Sequence, residues 1–124
     1  MTIPQFAHTK ALLSSGFGIL FIISPSWLMS WFGMSLDAGG DLIGRLFGIL
    51  TIGICIELWF VSRPEDFKPQ STLAYALTDA LAVTLCVFAV MNGTVNALGW
   101  VLVASYALST VGFVHSYRQL KSIT

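Results

Sequence analysis

The chain has 124 residues, 56% of them hydrophobic and only 10% charged, with a mean hydropathy of +0.81. That much apolar surface exceeds what one small water-soluble core encloses, so lipid is the expected solvent. Six basic and six acidic residues cancel, leaving no net field to recruit nucleic acid, and no nucleic-acid partner is expected.

The first apolar run, over about 9–23, draws on Ala11, Leu12, Leu13, Phe17 and Ile19 through Ile23. Lys10 ahead of it gives the look of a secretory signal, but no small-residue cleavage site follows and further apolar runs do, so a retained span is expected. Ser24 is suited to cap and Pro25 to open a new helix, which predicts a short helix over about 25–32. Trp27 and Trp31 stand at i, i+4 on one face of it. Indole rings favour the headgroup level, so this helix is expected at a membrane interface; a kinked continuation of the first span is the alternative, because membrane helices tolerate proline.

Met34 to Gly40 reads as a loop broken by Gly39-Gly40, with Asp41 as N-cap or first-turn acid. The second span is expected over about 42–61. Arg63 to Ser71, carrying Arg63, Glu65, Asp66 and Lys68 between two prolines, reads as an exposed turn. The third span covers about 72–91, Asn92-Gly93-Thr94 turns the chain, and the fourth span covers about 97–115. The remaining tail is too polar and short for another crossing.

The expected fold class is therefore all-α: one domain over 1–124, an integral membrane four-helix bundle with a short interfacial helix after the first span. Basic residues mark the side retained in the cytoplasm. Lys10, the pair Arg63 and Lys68, and the pair Arg118 and Lys121 all fall on one side of a four-span chain, so both termini are expected in the cytoplasm and the protein in the cell (inner) membrane. Trp27, Trp31 and Trp100 then mark the outer level and Trp59 the inner one.

Charges inside apolar runs are the first candidates for function. Asp41 and Arg45 stand at i, i+4, where opposite charges meet on a helix, and read as a structural ion pair with Arg45 snorkelling to the headgroups. Gly44 and Gly48 form a G-x-x-x-G that lets another backbone approach, within the bundle or across a dimer. Ser105 and Ser109 repeat that small-residue spacing, and Gly16 is a similar notch. Counted inward from the predicted boundaries, Glu57 and Asp79 reach comparable depth on the cytoplasmic side. Tyr75 and Thr78 share that half of the third span, and His8, Lys10 and His115 lie where the first and fourth spans enter it. Glu57, Asp79, Tyr75 and His115 are thus the candidates for binding a ligand or a proton, the carboxyls neutralised by Lys10, by a histidine or by holding a proton. The competing reading pairs Glu57 with Arg63 at the membrane edge and lets Asp79 bridge helices.

No nucleophile elbow, phosphate-cradling glycine loop or H-E-x-x-H is present, and no catalytic residue is assigned. Cys55 and Cys86 stand alone on different spans and read as small core residues, so neither a metal site nor a thiol relay is expected. The sequence names no cofactor.

Gly18-Ile-Leu-Phe-Ile-Ile-Ser-Pro-Ser-Trp-Leu28, then Gly44-Arg-Leu-Phe-Gly48, then Asn92-Gly-Thr-Val-Asn-Ala-Leu-Gly-Trp100, with Gly112-Phe113 near the end, resemble small four-span bacterial membrane proteins of the DoxX-like kind. Some members of that group are named for association with quinone or thiol oxidation, and the resemblance implies such a setting here; the chain departs from it in lacking paired thiols. Three functions are carried forward. The preferred one is a non-enzymatic membrane protein whose bundle offers a small apolar cavity with acidic groups at its cytoplasmic end and which binds a lipid-like or amphiphilic ligand or supports a larger membrane complex. The second is a proton-coupled small transporter acting as a homodimer through Glu57 or Asp79. The third, a subunit of a quinone-linked oxidoreductase, rests on the resemblance alone.

Overall fold

The computed structural model describes residues 1–123. Five α-helices account for most of them: α1 (Ile3–Ile23), α2 (Pro25–Trp31), α3 (Ala38–Trp59), α4 (Pro69–Met91) and α5 (Gly99–Ile123), with one 3-10 turn at Pro64–Asp66 and no strand among the described residues. The helices fall into two compact units, Met1–Ser62 and Arg63–Thr124.

Local chemistry sets the helix ends, and it moves several of them outward from the expected spans. In α1, Thr2 and Gln5 form a reciprocal capping box, so the helix begins six residues before Thr9. Ser24 breaks it with φ −153° and ψ 84°, and its hydroxyl accepts the Trp27 N–H to open α2. A single non-helical residue therefore separates two helices. The left-handed Gly33 closes α2 in a Schellman arrangement, with Gly33 N–H donating to Ser30 O and Met34 N–H to Met29 O.

The loop expected through Gly40 is shorter than its glycines suggest. Asp37 accepts the Gly40 N–H at 2.7 Å and caps α3, so Gly39 and Gly40 lie in its first turn and Asp41 is a first-turn acid. In the second unit α4 starts at Pro69, and Gly93 (φ 79°) helps to close it. The Asn96 side chain accepts the Leu98 N–H just before α5. That helix then runs through the polar tail to Ile123.

In the first unit, α1 and α3 are antiparallel and meet at glycines. A Cβ added to Gly48 would stand 2.6 Å from Gly18 O, and one added to Gly44 would stand 2.6 Å from Pro25 Cβ. The helices thus touch backbone to backbone at Gly18 and Gly48, while nothing lies within 4 Å of the Cβ position of Gly16. In the second unit, α4 and α5 are antiparallel, with Phe113, Ser109 and Ser116 of α5 buried and Thr72 and Ala76 of α4 buried.

Three helices, α1, α3 and α4, are long and apolar enough to cross a membrane. Their apolar side chains turn outward, with Leu50, Leu81 and Leu85 each about 70% exposed. Exposed leucine at this density suits a bilayer and not water. Several hydroxyls on the long helices are satisfied internally: Ser15 donates to Leu12 O, Thr51 to Phe47 O, Thr84 to Ala80 O, Ser105 to Val101 O and Ser116 to Gly112 O.

Candidate functional site

Two polar clusters and one groove concentrate the chemistry, and each belongs to one unit. The first cluster lies at the α1–α2 corner. Arg45 donates through Nε to Asp41 Oδ2 at 2.8 Å and through Nη1 to the Ile22 carbonyl at 2.7 Å, while Ser26 donates to Asp41 Oδ1 at 3.0 Å. Ile22 O belongs to the last turn of α1, where Ser24-Pro25 ends the backbone ladder and leaves carbonyls without helical partners. The guanidinium fills that vacancy and sits where the helix dipole favours a cation. The Asp41–Arg45 pair therefore ties α3 to both neighbours, Arg45 to α1 and Asp41 to α2. Its fork is divided between a carboxylate and a carbonyl, and Asp37 and Asp41 outweigh it in charge.

At the opposite end of the same helix pair, His8 Nε2 lies 3.0 Å from Trp59 O. A carbonyl only accepts, so Nε2 carries the proton. Trp59 O is in the last turn of α3, where Phe60 and Val61 N–H groups turn back to Glu57 O and Leu58 O. The two rings also pack, their centroids 5.0 Å apart. Each helix of the pair thus caps the other's C-terminus with a basic side chain.

Beside that end an open groove of about 320 Å³ runs between α1 and α3, lined by Ala11, Leu12, Ser15, Ile52, Cys55, Ile56, Trp59 and Phe60. Ser15 spends its hydroxyl proton on Leu12 O, so the lining offers a guest almost nothing polar. Glu57, exposed in the last turn of α3, is not among the lining residues.

In the second unit Asp79 Oδ2 accepts a hydrogen bond from Ser109 Oγ, joining α4 to α5. Tyr106 lies within electrostatic reach of both Asp79 and the Cys86 thiol. One turn from Asp79, Tyr75 packs against Phe113 and Phe67, with centroids 5.3 and 6.2 Å away. Phe67 and Phe113 are 6.2 Å apart and almost wholly buried, so the three rings form a filled core and not a cage. His115 is exposed on α5, and no hydrogen bond, ion pair or ring contact joins it to Asp79 or Tyr75 among the described residues.

Of the candidate residues, Asp79 and Tyr75 therefore share one helix face and one packed interface, Glu57 is exposed near the C-terminal end of α3 and does not line the groove, and His115 stands apart. The sequence leads one to expect a small apolar cavity with acidic groups at one end, but not a groove between α1 and α3 lined without an acid, nor Ser109 as the donor to Asp79. A signal was present for Ser109, a hydroxyl residue one helical turn from Tyr106 and Phe113. No cluster of three or more metal-ligating side chains occurs among the described residues. No family model, no curated protein and no solved structure matches the chain. Function is therefore read from the side chains alone.

Proposed function

We propose that the chain is a non-enzymatic integral membrane protein that holds a lipid-like or amphiphilic molecule in the apolar groove between α1 and α3. The carrying observation is the groove: a recess of about 320 Å³, apolar along its length and lined at one end by Trp59, on which His8 packs. A recess of that size is at the lower end of the range for ligand sites, roughly 300–1,000 Å³, and fits a chain better than a whole amphiphile.

In this reading α5 is the fourth span of a four-helix membrane protein, α2 lies at the interface and both termini face the cytoplasm of a cell whose inner membrane holds the protein. Support for α5 comes from its hydroxyls. Ser105, Thr110 and Ser116 bond to carbonyls of their own helix and Ser109 bonds to Asp79, so its polar residues cost little in lipid. Kinship with DoxX-like proteins belongs to the same proposal and rests on the three motif stretches.

The test is native mass spectrometry of the gently extracted protein. The wild type is expected to retain an amphiphile, Ser15→Phe to lose it by filling the groove, and Leu50→Phe, on an open face, to keep it. Absence of any adduct, or equal retention by Ser15→Phe, contradicts the proposal.

A second reading has its own observation. Asp79 is a carboxyl in the most apolar of the long helices, hydrogen-bonded to Ser109 across to α5, as expected of a proton-exchanging transporter. Proton-coupled uptake into vesicles that disappears in Asp79→Asn would favour it, and uptake indifferent to that change would remove it.

A further inference from the structure

Charge in the second unit is gathered at one end. From Pro69 to Tyr117 the only carboxylate is Asp79 and there is no Lys or Arg, so the turn over 92–98 is uncharged. Arg63, Glu65, Asp66 and Lys68 lie ahead of α4, and Arg118 and Lys121 lie in the last turns of α5. Because the two helices are antiparallel, these stretches meet. Tyr75 and Phe113 pack across the pair, with centroids 5.3 Å apart. Lys68 comes seven residues before Tyr75 and Lys121 eight after Phe113, so both stand roughly 11 Å beyond that contact.

Packing holds this end in place. Phe67 is buried beside Phe113, and Leu120 is buried on α5. Thr72 donates to Lys68 O at 3.0 Å, and Asp66 accepts the Arg63 N–H at 2.8 Å. Arg63, Lys68, Arg118 and Lys121 are all exposed on this ordered stretch of chain. Among the described residues no ion pair joins Arg63, Lys68 or Arg118 to a carboxylate, and the Lys121 ammonium lies 5.8 Å from the Tyr117 ring centre. Four cations against Glu65 and Asp66 leave the end positive. The flanks leading to it expose Leu73 and Leu77 on α4 and Leu108 and Val111 on α5. Where such flanks end, the nearest polar groups of a bilayer are headgroup phosphates.

We propose that this end of the α4–α5 pair binds anionic phospholipid of the leaflet it borders, with Arg63, Lys68, Arg118 and Lys121 facing the phosphates. Surplus cations held at the margin of lipid-facing helices attract an anionic headgroup, and they repel the ammonium of a zwitterionic one. The inference is independent of the groove and needs only that α4 and α5 be solvated by lipid.

The test reconstitutes the full chain in vesicles of three parts phosphatidylcholine to one part phosphatidylglycerol, extracts it gently and identifies the retained lipids by native mass spectrometry. Phosphatidylglycerol is expected to be enriched several-fold over its share of the bilayer, and the enrichment should shrink as salt is raised. Lys68→Gln combined with Arg118→Gln should lower it by roughly fivefold or more. Lys68→Arg combined with Arg118→Lys should keep it, as should Lys10→Gln in the first unit. Retention in proportion to the bilayer, enrichment untouched by the glutamine pair, or an equal loss in the charge-conserving pair overturns the inference. An acidic protein extracted with the chain in place of enriched lipid overturns it as well.

Discussion

Arg45 and His8 show how a basic side chain can be held in an apolar helix pair without catalytic purpose, each donating to a carbonyl that the partner helix's end leaves open. At Arg45 the exposed ion pair to Asp41 contributes little where water reaches it, so most of its value lies in the Ile22 carbonyl. Arg45→Ala is expected to destabilise the protein by about 1–2 kcal/mol, read as a lower unfolding midpoint in detergent. Arg45→Lys should recover only part of this, because an ammonium lacks the fork that reaches two acceptors. An unchanged midpoint in Arg45→Ala would show that the carbonyl finds another donor. At Asp79 the prediction is smaller: Ser109→Ala should cost about 0.5–2 kcal/mol, the range for interhelical hydrogen bonds in membranes, measured in the same titration. The i, i+4 spacing of Asp41 and Arg45 made their encounter legible in the sequence. The Arg45 bond to Ile22 was not legible, since a backbone carbonyl 23 positions away carries no side-chain signature.

At the scale of the element, glycine has opposite meanings at neighbouring positions of α3. Gly48 faces Gly18 O, Ile22 and Phe21 within 3 Å of a would-be Cβ, whereas Gly53 has nothing within 4 Å. Gly48→Ala should therefore destabilise by about 1–3 kcal/mol through overpacking against backbone that has no room to yield. Gly53→Ala should be neutral or stabilise by up to about 1 kcal/mol, the ordinary preference for alanine in a helix. Thermal unfolding of the two variants side by side checks the sign, and equal effects would contradict the crossing at Gly18 and Gly48. The G-x-x-x-G announced a close approach, but the notch read on α1 was Gly16, where nothing lies within 4 Å of a would-be Cβ. Only the register of α1 against α3 selects Gly18. Gly39-Gly40 misled for a related reason. Low helix propensity suggested a breaker there, and the cap from Asp37 overrides it.

Many of the chain's leucines are exposed, while Gly18, Gly44, Gly48, Thr72, Ser109, Ser116 and a few aromatic rings are buried where helices meet, an arrangement that suits lipid as solvent. Hydropathy made α1, α3 and α4 plain in the sequence because each is almost uninterrupted. It makes α5 less plain, because Ser105, Ser109, Thr110, His115, Ser116 and Arg118 dilute the helix, and only their hydrogen bonds show how lipid would tolerate several of them. A small apolar cavity was expected, but its place was not legible in the sequence, since it is the space left between residues some forty positions apart. Whether α5 crosses decides the topology, the side on which the groove opens and the leaflet that supplies its occupant. The most direct measurement is a tag-accessibility map of intact cells carrying tags at the N-terminus, at Gly93 and at the C-terminus. Both terminal tags are expected to be shielded until the membrane is opened, with the Gly93 tag reached from outside; termini on opposite sides of the membrane would contradict the four-span account.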